Sequence, residues 1–177
     1  MKYTLKNGDE IIVRYPQLED ASQITTLMKT ADKETMFLAR EPGEFTTTEE
    51  REREIITNVL NSNDMAWFVV EYAGKIVGQC SVGLVRRYRR YWHRAEVAFV
   101  LYEEYCNLGI GGKMMQECLA WCRGHDVSQV ELDVVTTNAR AIKMYQAFGF
   151  EIVGTIPDAL KYQDGTTADE YYMVCRL

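Results

Sequence analysis

Residues 106–124 read CNLGIGGKMMQECLAWCRG: three glycines, Gly109, Gly111 and Gly112, fall within four positions and run straight into an amphipathic pattern. Ile110, Met114, Cys118 and Cys122 recur at helical spacing, so the stretch predicts a tight turn feeding a helix that stops at Gly124, where a left-handed cap is natural. Such a turn gathers unpaired backbone N–H groups and the partial positive charge of a helix N-terminus at one point, and it suits a phosphate. Glycine lets the main chain approach a bulky anion and take positive φ. The bland reading of the same residues is a helix start at a tight packing corner.

Outward from this turn the chain reads as strands and helices in alternation. Asn7-Gly8 sits between two strand-like runs and predicts a hairpin at the start. Helical periodicity follows from Glu19 to about Lys29 through Ile24, Leu27 and Met28. Pro42 and Gly43 then break the pattern. Thr47 with Glu50 forms a capping box for a second helix reaching about Asn61, with Ile55, Ile56, Val59 and Leu60 as its buried stripe. AWFVVEYAGKIVGQCSVGLV (66–85) gives two strands joined at Ala73-Gly74, and HRAEVAFVL (93–101) a third. VELDVV (130–135) alternates Val130, Leu132 and Val134 against Glu131 and Asp133, so one face is apolar. Asn138 caps a further helix that ends at Gly149, and two closing strands flank Asp164-Gly165. The order predicts an α+β domain over residues 1–177, with a mostly antiparallel central sheet flanked by helices, because two-residue turns join only antiparallel neighbours.

Composition narrows the function. A chain of 177 residues, 47% hydrophobic and 26% charged, supports one full-sized core. The net charge of −6 argues against nucleic acid as partner, since that would require neutralising many phosphates. No apolar run is long enough to span a bilayer, and the N-terminal segment lacks the apolar core of a signal peptide, so a cytoplasmic protein without a membrane partner is expected. Five cysteines form no disulfide scaffold. Cys118, Cys122 and His125 invite zinc, but no second pair completes four ligands, and no metal is expected.

Two familiar phosphate loops fail on particular residues. The mononucleotide loop would need glycine where Asn107 stands and a hydroxyl where Met114 stands. The dinucleotide fingerprint would need its third glycine at Met114, and no acidic ribose partner ends the next strand.

A third pattern fits. Cys106, Asn107, Leu108, Gly109, Ile110 and Gly111 resemble the Arg/Gln-x-x-Gly-x-Gly/Ala signature of the GCN5-related N-acetyltransferase (GNAT) superfamily, with Cys106 in place of the usual Arg or Gln. Downstream, NARAIKMYQAFGF is similar to that superfamily's Asn-x-x-Ala-x-x-x-Tyr-x-x-x-Gly-Phe segment, with Asn138, Ala141, Tyr145, Gly149 and Phe150 in register. The resemblance runs from about Trp67 to Leu177. It implies the GNAT fold, with two central strands splayed to form the groove for acetyl-CoA. It further implies that the cofactor is bound by the signature turn, Cys106, Asn107, Leu108, Gly109, Ile110, Gly111, Gly112 and Lys113, with the diphosphate on its glycine main chain, by Tyr145, and by the main chain of Phe99, Val100 and Leu101, which pairs with the pantetheine arm. Asn138 would contact the cofactor or simply cap its helix.

The implied reaction is direct transfer of an acetyl group to a primary amine of a small molecule or peptide. Glu96, on the AEVAFVL strand, resembles the glutamate base of the histone acetyltransferase branch; otherwise it is a solvent-facing acid. Tyr145 matches the tyrosine that protonates the leaving thiol, or else fills the core. Cys106 near a helix N-terminus suggests a thiol of lowered pKa, yet neither His93 nor His125 is tied to it by any motif. For the acceptor, the loop MFLAREPGEF (36–45) offers Glu41, Glu44 and Phe45, and the C-terminal strands offer Tyr162 and Tyr171. The run RRYRRYWHR (86–94) suits an acidic substrate or partner, the CoA ribose phosphate, or a solvated hairpin end. The competing class is a noncatalytic acyl-CoA-binding sensor or regulatory module. Dimers are common among the proteins this chain resembles.

Overall fold

The computed structural model describes residues 1–177. Its eight strands form one sheet in the order β1-β2-β3-β4-β5-β6-β8-β7. β1 (Lys2–Thr4) and β2 (Glu10–Arg14) make the opening hairpin about Asn7-Gly8, with Gly8 at φ 89. α1 (Ala21–Glu34) and α2 (Glu49–Leu60) follow, then the meander β3 (Met65–Tyr72), β4 (Lys75–Leu84) and β5 (Arg94–Leu101). The β3–β4 turn takes φ 49 at Ala73 and φ 80 at Gly74, the left-handed pair a two-residue hairpin demands. α3 (Ile110–Gly124), β6 (Gln129–Val135), α4 (Ala139–Ala147), β7 (Glu151–Lys161) and β8 (Thr167–Arg176) complete the chain.

Neighbouring residues of β4 fix the layers. Gln79 hydrogen-bonds the Met28 sulfur of α1, whereas the Cys80 thiol donates to the Met114 carbonyl of α3. Because successive side chains leave a strand on opposite faces, α1 covers one face of the sheet and α3 the other. α4 lies on the α3 side: Met144 and Phe148 stand against Gly111 and Gly112, and the Tyr145 and Phe99 ring centroids are 6.0 Å apart.

Several elements differ from the sequence expectation in detail. α1 runs to Glu34, five residues beyond Lys29, because Ala31 and Asp32 are buried and Arg40 pairs with the Asp32 carboxylate at 2.9 Å. Thr48, not Thr47, caps α2 and accepts from the Arg51 N–H. Leu60 is exposed at the last position of the helix, and the buried face of α2 is Glu52, Ile56 and Val59. Gly124 is helical, and Asp126 takes the left-handed conformation after it, at φ 56.

The sheet is antiparallel except at one seam. β5 and β6 pair in parallel, but only Arg94–Glu96 against Gln129–Glu131. Beyond that β6 pairs with β8 alone, and the β6-facing main chain of β5 from Val97 to Leu101 has no strand partner. The two central strands therefore splay.

Candidate active site

The split opens toward the C-terminal ends of β5 and β6, and each end leads into a helix start. After β5, the turn sets Asn107 at φ 65 and Gly109 at φ 87, and α3 begins at Ile110. Of the three glycines only Gly109 needs its conformational freedom. A Cβ at Gly111 would stand 2.8 Å from the Met144 sulfur, and one at Gly112 would stand 3.6 Å from the Phe148 ring. These two glycines let α4 close on α3, which is the packing corner of the sequence reading, while Gly109 gives the turn its positive φ. Leu108 and Ile110 pack into the core, and the Lys113 ammonium lies over the Tyr3 ring, 5.0 Å from its centroid. After β6, Asn138 caps α4 by accepting from the Ala141 N–H at 3.3 Å. Asn138 also lines a cavity of about 550 Å³ at the mouth of the split, together with Phe37, Glu103 and Arg140.

Phe99, Val100 and Leu101 occupy the unpaired length of β5 and are partly buried. On the α3 face, Tyr145 is 8% exposed, between the rings of Phe99 and Phe150. Its hydroxyl makes no hydrogen bond within the chain, and burial, with the nearby Cys118, pushes it up to about 12. At neutral pH it holds its proton.

Glu96 lies three residues before Phe99 and so faces the opposite side, that of α1. There a cavity of about 340 Å³ is lined by Glu96, Asp133 and Tyr172, with Met65, Gly83 and Glu131 around them. Burial, then the charges of Asp133 and Glu131, raise Glu96 above the ordinary carboxylate range; burial and Glu131 do the same to Asp133. Glu131 behaves otherwise. It was expected on an exposed polar face, yet it is buried, taking bonds from Arg94, Tyr172 and Gln129. Burial raises its pKa, but those three donors outweigh it and the net shift is downward.

The expected acceptor residues divide. Tyr171 pairs with Val134 and faces the α3 side, packed against the core; Tyr172, paired with Asp133, lines the cavity instead. One residue of register exchanges the face. Glu41 accepts from the Gln163 N–H at 3.0 Å and Tyr162 donates to the Met36 carbonyl at 3.0 Å, so both tie the 36–45 loop to the β7–β8 hairpin. Glu44 accepts from the Glu41 N–H within the loop, and Phe45 lies under the Arg40 guanidinium. Asp133 and Tyr172 escaped the sequence reading, though Asp133 stands on the polar side of VELDVV.

Cys106 is no activated thiol. It donates to the Tyr102 carbonyl at 3.6 Å, and burial raises its pKa despite the pull of Arg140. His125 is stacked on Trp121 and bonded to its carbonyl.

Comparison with known proteins agrees with this architecture. An acetyltransferase of the GNAT family from Streptococcus pneumoniae superposes with a TM-score of 0.88 at 22% identity, covering 94% of this chain and 99% of its own. YncA of Salmonella typhimurium, solved with its cofactor acetyl-CoA, gives a TM-score of 0.82 at 17% identity, covering 94% of each chain. The L-amino acid N-acetyltransferase AaaT of Escherichia coli (strain K12) is 35% identical over 103 residues, 56% of this chain; the chain spans 61% of the length of that relative. The sequence profile of the Acetyltransferase (GNAT) family matches residues 28–150, well over half of the molecule and inclusive of the glycine turn and the Asn138–Phe150 segment, and the chain belongs to that family.

Proposed function

We propose that this protein is an acetyl-CoA-dependent N-acetyltransferase acting on a primary amine of a small molecule or peptide. The observation that carries the reading is the split between β5 and β6. It leaves main-chain donors and acceptors open along Val97–Leu101, ends at the Gly109 turn, and has the two candidate proton-handling groups, Tyr145 and Glu96, on opposite faces of the sheet. Donors and acceptors without a strand partner suit an extended amide-bearing arm, and the glycine turn suits its diphosphate.

When bound, acetyl-CoA supplies an acetyl group activated as a thioester. The residues of the chain manage protons around it. An alkyl ammonium near pKa 10 is not a nucleophile, so Glu96 takes its proton, and a carboxylate of raised pKa does this near neutrality better than an ordinary one. The Tyr145 hydroxyl, unpartnered and protonated, is the donor for the departing thiolate. With Cys106 un-ionised and no histidine bonded to it, transfer to the amine is direct.

Similarity to an L-amino acid N-acetyltransferase makes free amino acids the first acceptor class to assay. The test is thiol release from acetyl-CoA against amino acids, polyamines, aminoglycosides and N-terminal peptides. Turnover with one class supports the enzyme and identifies its acceptor. Cofactor binding with no release over the whole panel would overturn it in favour of a noncatalytic acyl-CoA sensor.

A further inference from the structure

Two helix N-termini face the mouth of the split, and neither α3 nor α4 carries an acidic residue in its first turn. Helix starts favour acids, as α2 shows with Glu49, Glu50 and Glu52. α4 does the reverse and places Arg140 second. A cation there is repelled by the helix dipole unless an anion faces it.

Glu103 is that anion. Arg140 Nη1 lies 3.1 Å from its Oε1 and Nη2 lies 3.2 Å from its Oε2, a two-pronged pair. The partners belong to opposite sides of the split, since Glu103 follows β5 and Arg140 follows β6. Both line the 550 Å³ cavity at its mouth. The charge of Arg140 is also felt at Cys106, the first residue of the glycine turn, so the guanidinium lies within electrostatic reach of that turn.

We infer that Arg140 is a further cofactor-binding residue that works by exchange: Glu103 holds its guanidinium across the mouth of the cleft, and a phosphate of CoA takes the place of that carboxylate on entry. The inference rests on the acetyl-CoA reading above. The exchange is easy on both sides. The pair is weak, because its side chains are 42% and 57% exposed. A phosphate presents the same two-oxygen face to a guanidinium and carries more charge. Glu103, once released, is already at the surface, and its N–H remains bonded to Glu34 at 2.9 Å. The arginine run 86–94 cannot do this work. It ends at Arg94, the first residue of β5, and the eight-residue strand puts it about 25 Å from the glycine turn at the other end.

The experiment is calorimetric titration of CoA into the wild-type protein, Arg140→Gln and Glu103→Gln, with thermal unfolding of each unliganded protein to verify that it folds. Exchange predicts opposite signs. Arg140→Gln weakens CoA about tenfold or more, the effect of losing a charged hydrogen-bond pair. Glu103→Gln tightens it, because the guanidinium no longer has to leave a partner. If the pair only braces the cleft, both variants break the same contact and shift affinity in the same direction; that outcome, or an unchanged affinity in Arg140→Gln, overturns the inference. Repeating the titration with 3′-dephospho-CoA identifies the phosphate. A penalty that vanishes assigns Arg140 to the 3′-phosphate, and one that persists assigns it to the diphosphate; either supports exchange. Failure of the wild-type protein to bind CoA would instead remove the cofactor reading itself.

Discussion

Arg94→Met probes the support beneath the cavity lined by Glu96, Asp133 and Tyr172. The Glu131 side chain is 5% exposed and Arg94 27%. Removing the guanidinium leaves a buried carboxylate with only the Tyr172 hydroxyl and the Gln129 amide as donors. Breaking a buried pair from one side costs about 3–5 kcal/mol; with two donors retained and some water access, about 2–3 kcal/mol is expected here. For a chain of this size that lowers Tm by about 4–12 °C. Glu131→Gln is milder, about 1 kcal/mol, because the stranded group is then an arginine that can reach solvent. The pH dependence has a definite sign. A carboxylate held below its ordinary value, as Glu131 is, contributes stability that is full above about pH 4.3 and is lost as pH falls through the lowered value. The gap between wild type and Arg94→Met is therefore full at pH 7 and narrows as pH falls, first through the higher Glu131 pKa of the variant, which has lost its strongest lowering partner, and then through the lowered wild-type value. Activity registers the same change, since an unneutralised Glu131 raises Glu96 further and moves the acid limb of kcat/KM to higher pH. Differential scanning fluorimetry from pH 3.5 to 8, with pH–rate profiles of both proteins, measures all of this. Equal losses in Arg94→Met and Glu131→Gln, or a gap independent of pH, would refute the reasoning.

Four further substitutions separate the roles at the split. Tyr145→Phe should lower kcat on the order of 10²-fold while leaving the calorimetric CoA affinity and Tm nearly unchanged, since the hydroxyl has no partner in the chain; full activity would make Tyr145 a packing residue. Glu96→Gln should lower kcat/KM by a similar factor and abolish its acid limb, which in the wild type rises through a pKa above the ordinary ~4.3 because burial, Asp133 and Glu131 favour the protonated form; an unchanged limb in steady-state profiles would place the base elsewhere. Gly109→Ala should cost about 1 kcal/mol from its positive φ and weaken CoA, whereas Gly111→Asp should abolish CoA binding and also crowd Met144; in calorimetry, wild-type affinity in either variant would remove the turn as the anchor.

What the sequence disclosed follows from how local each signal is. Asn7-Gly8, Ala73-Gly74 and Asp164-Gly165 mark hairpins because two residues decide a turn. The Gly109 turn and the Asn138 cap are equally local. Readings failed where a distant partner changes what a polar residue means. The first helix reads as ending near Lys29 because nothing nearby shows that Asp32 is buried against Arg40, and Glu131 looks like a solvent-facing strand residue until Arg94, 37 positions away, and Tyr172 enclose it. The choice between Tyr171 and Tyr172 turns on the register of β8 against β6, which one residue of slip inverts.

The same distinction explains why the cofactor was more legible than the acceptor. Facing CoA, the chain offers main chain: open groups along β5, a positive-φ turn and two helix starts, which need glycines and a cap at fixed short spacings. Facing the acceptor, as proposed above, it offers side chains gathered from separate strands, Glu96 of β5, Asp133 of β6 and Tyr172 of β8, with no mutual spacing to read. Backbone recognition tolerates almost any side chain, so the cofactor half of the site constrains few residues. Of the residues proposed for the acceptor, all on the face away from α3, Glu96 and Asp133 make no side-chain hydrogen bond within the chain and can vary at little cost, whereas Tyr172 also holds the buried Glu131. Specificity is therefore to be sought on that face, and substitutions at Asp133 and Tyr172 should alter acceptor KM while leaving CoA affinity as it was.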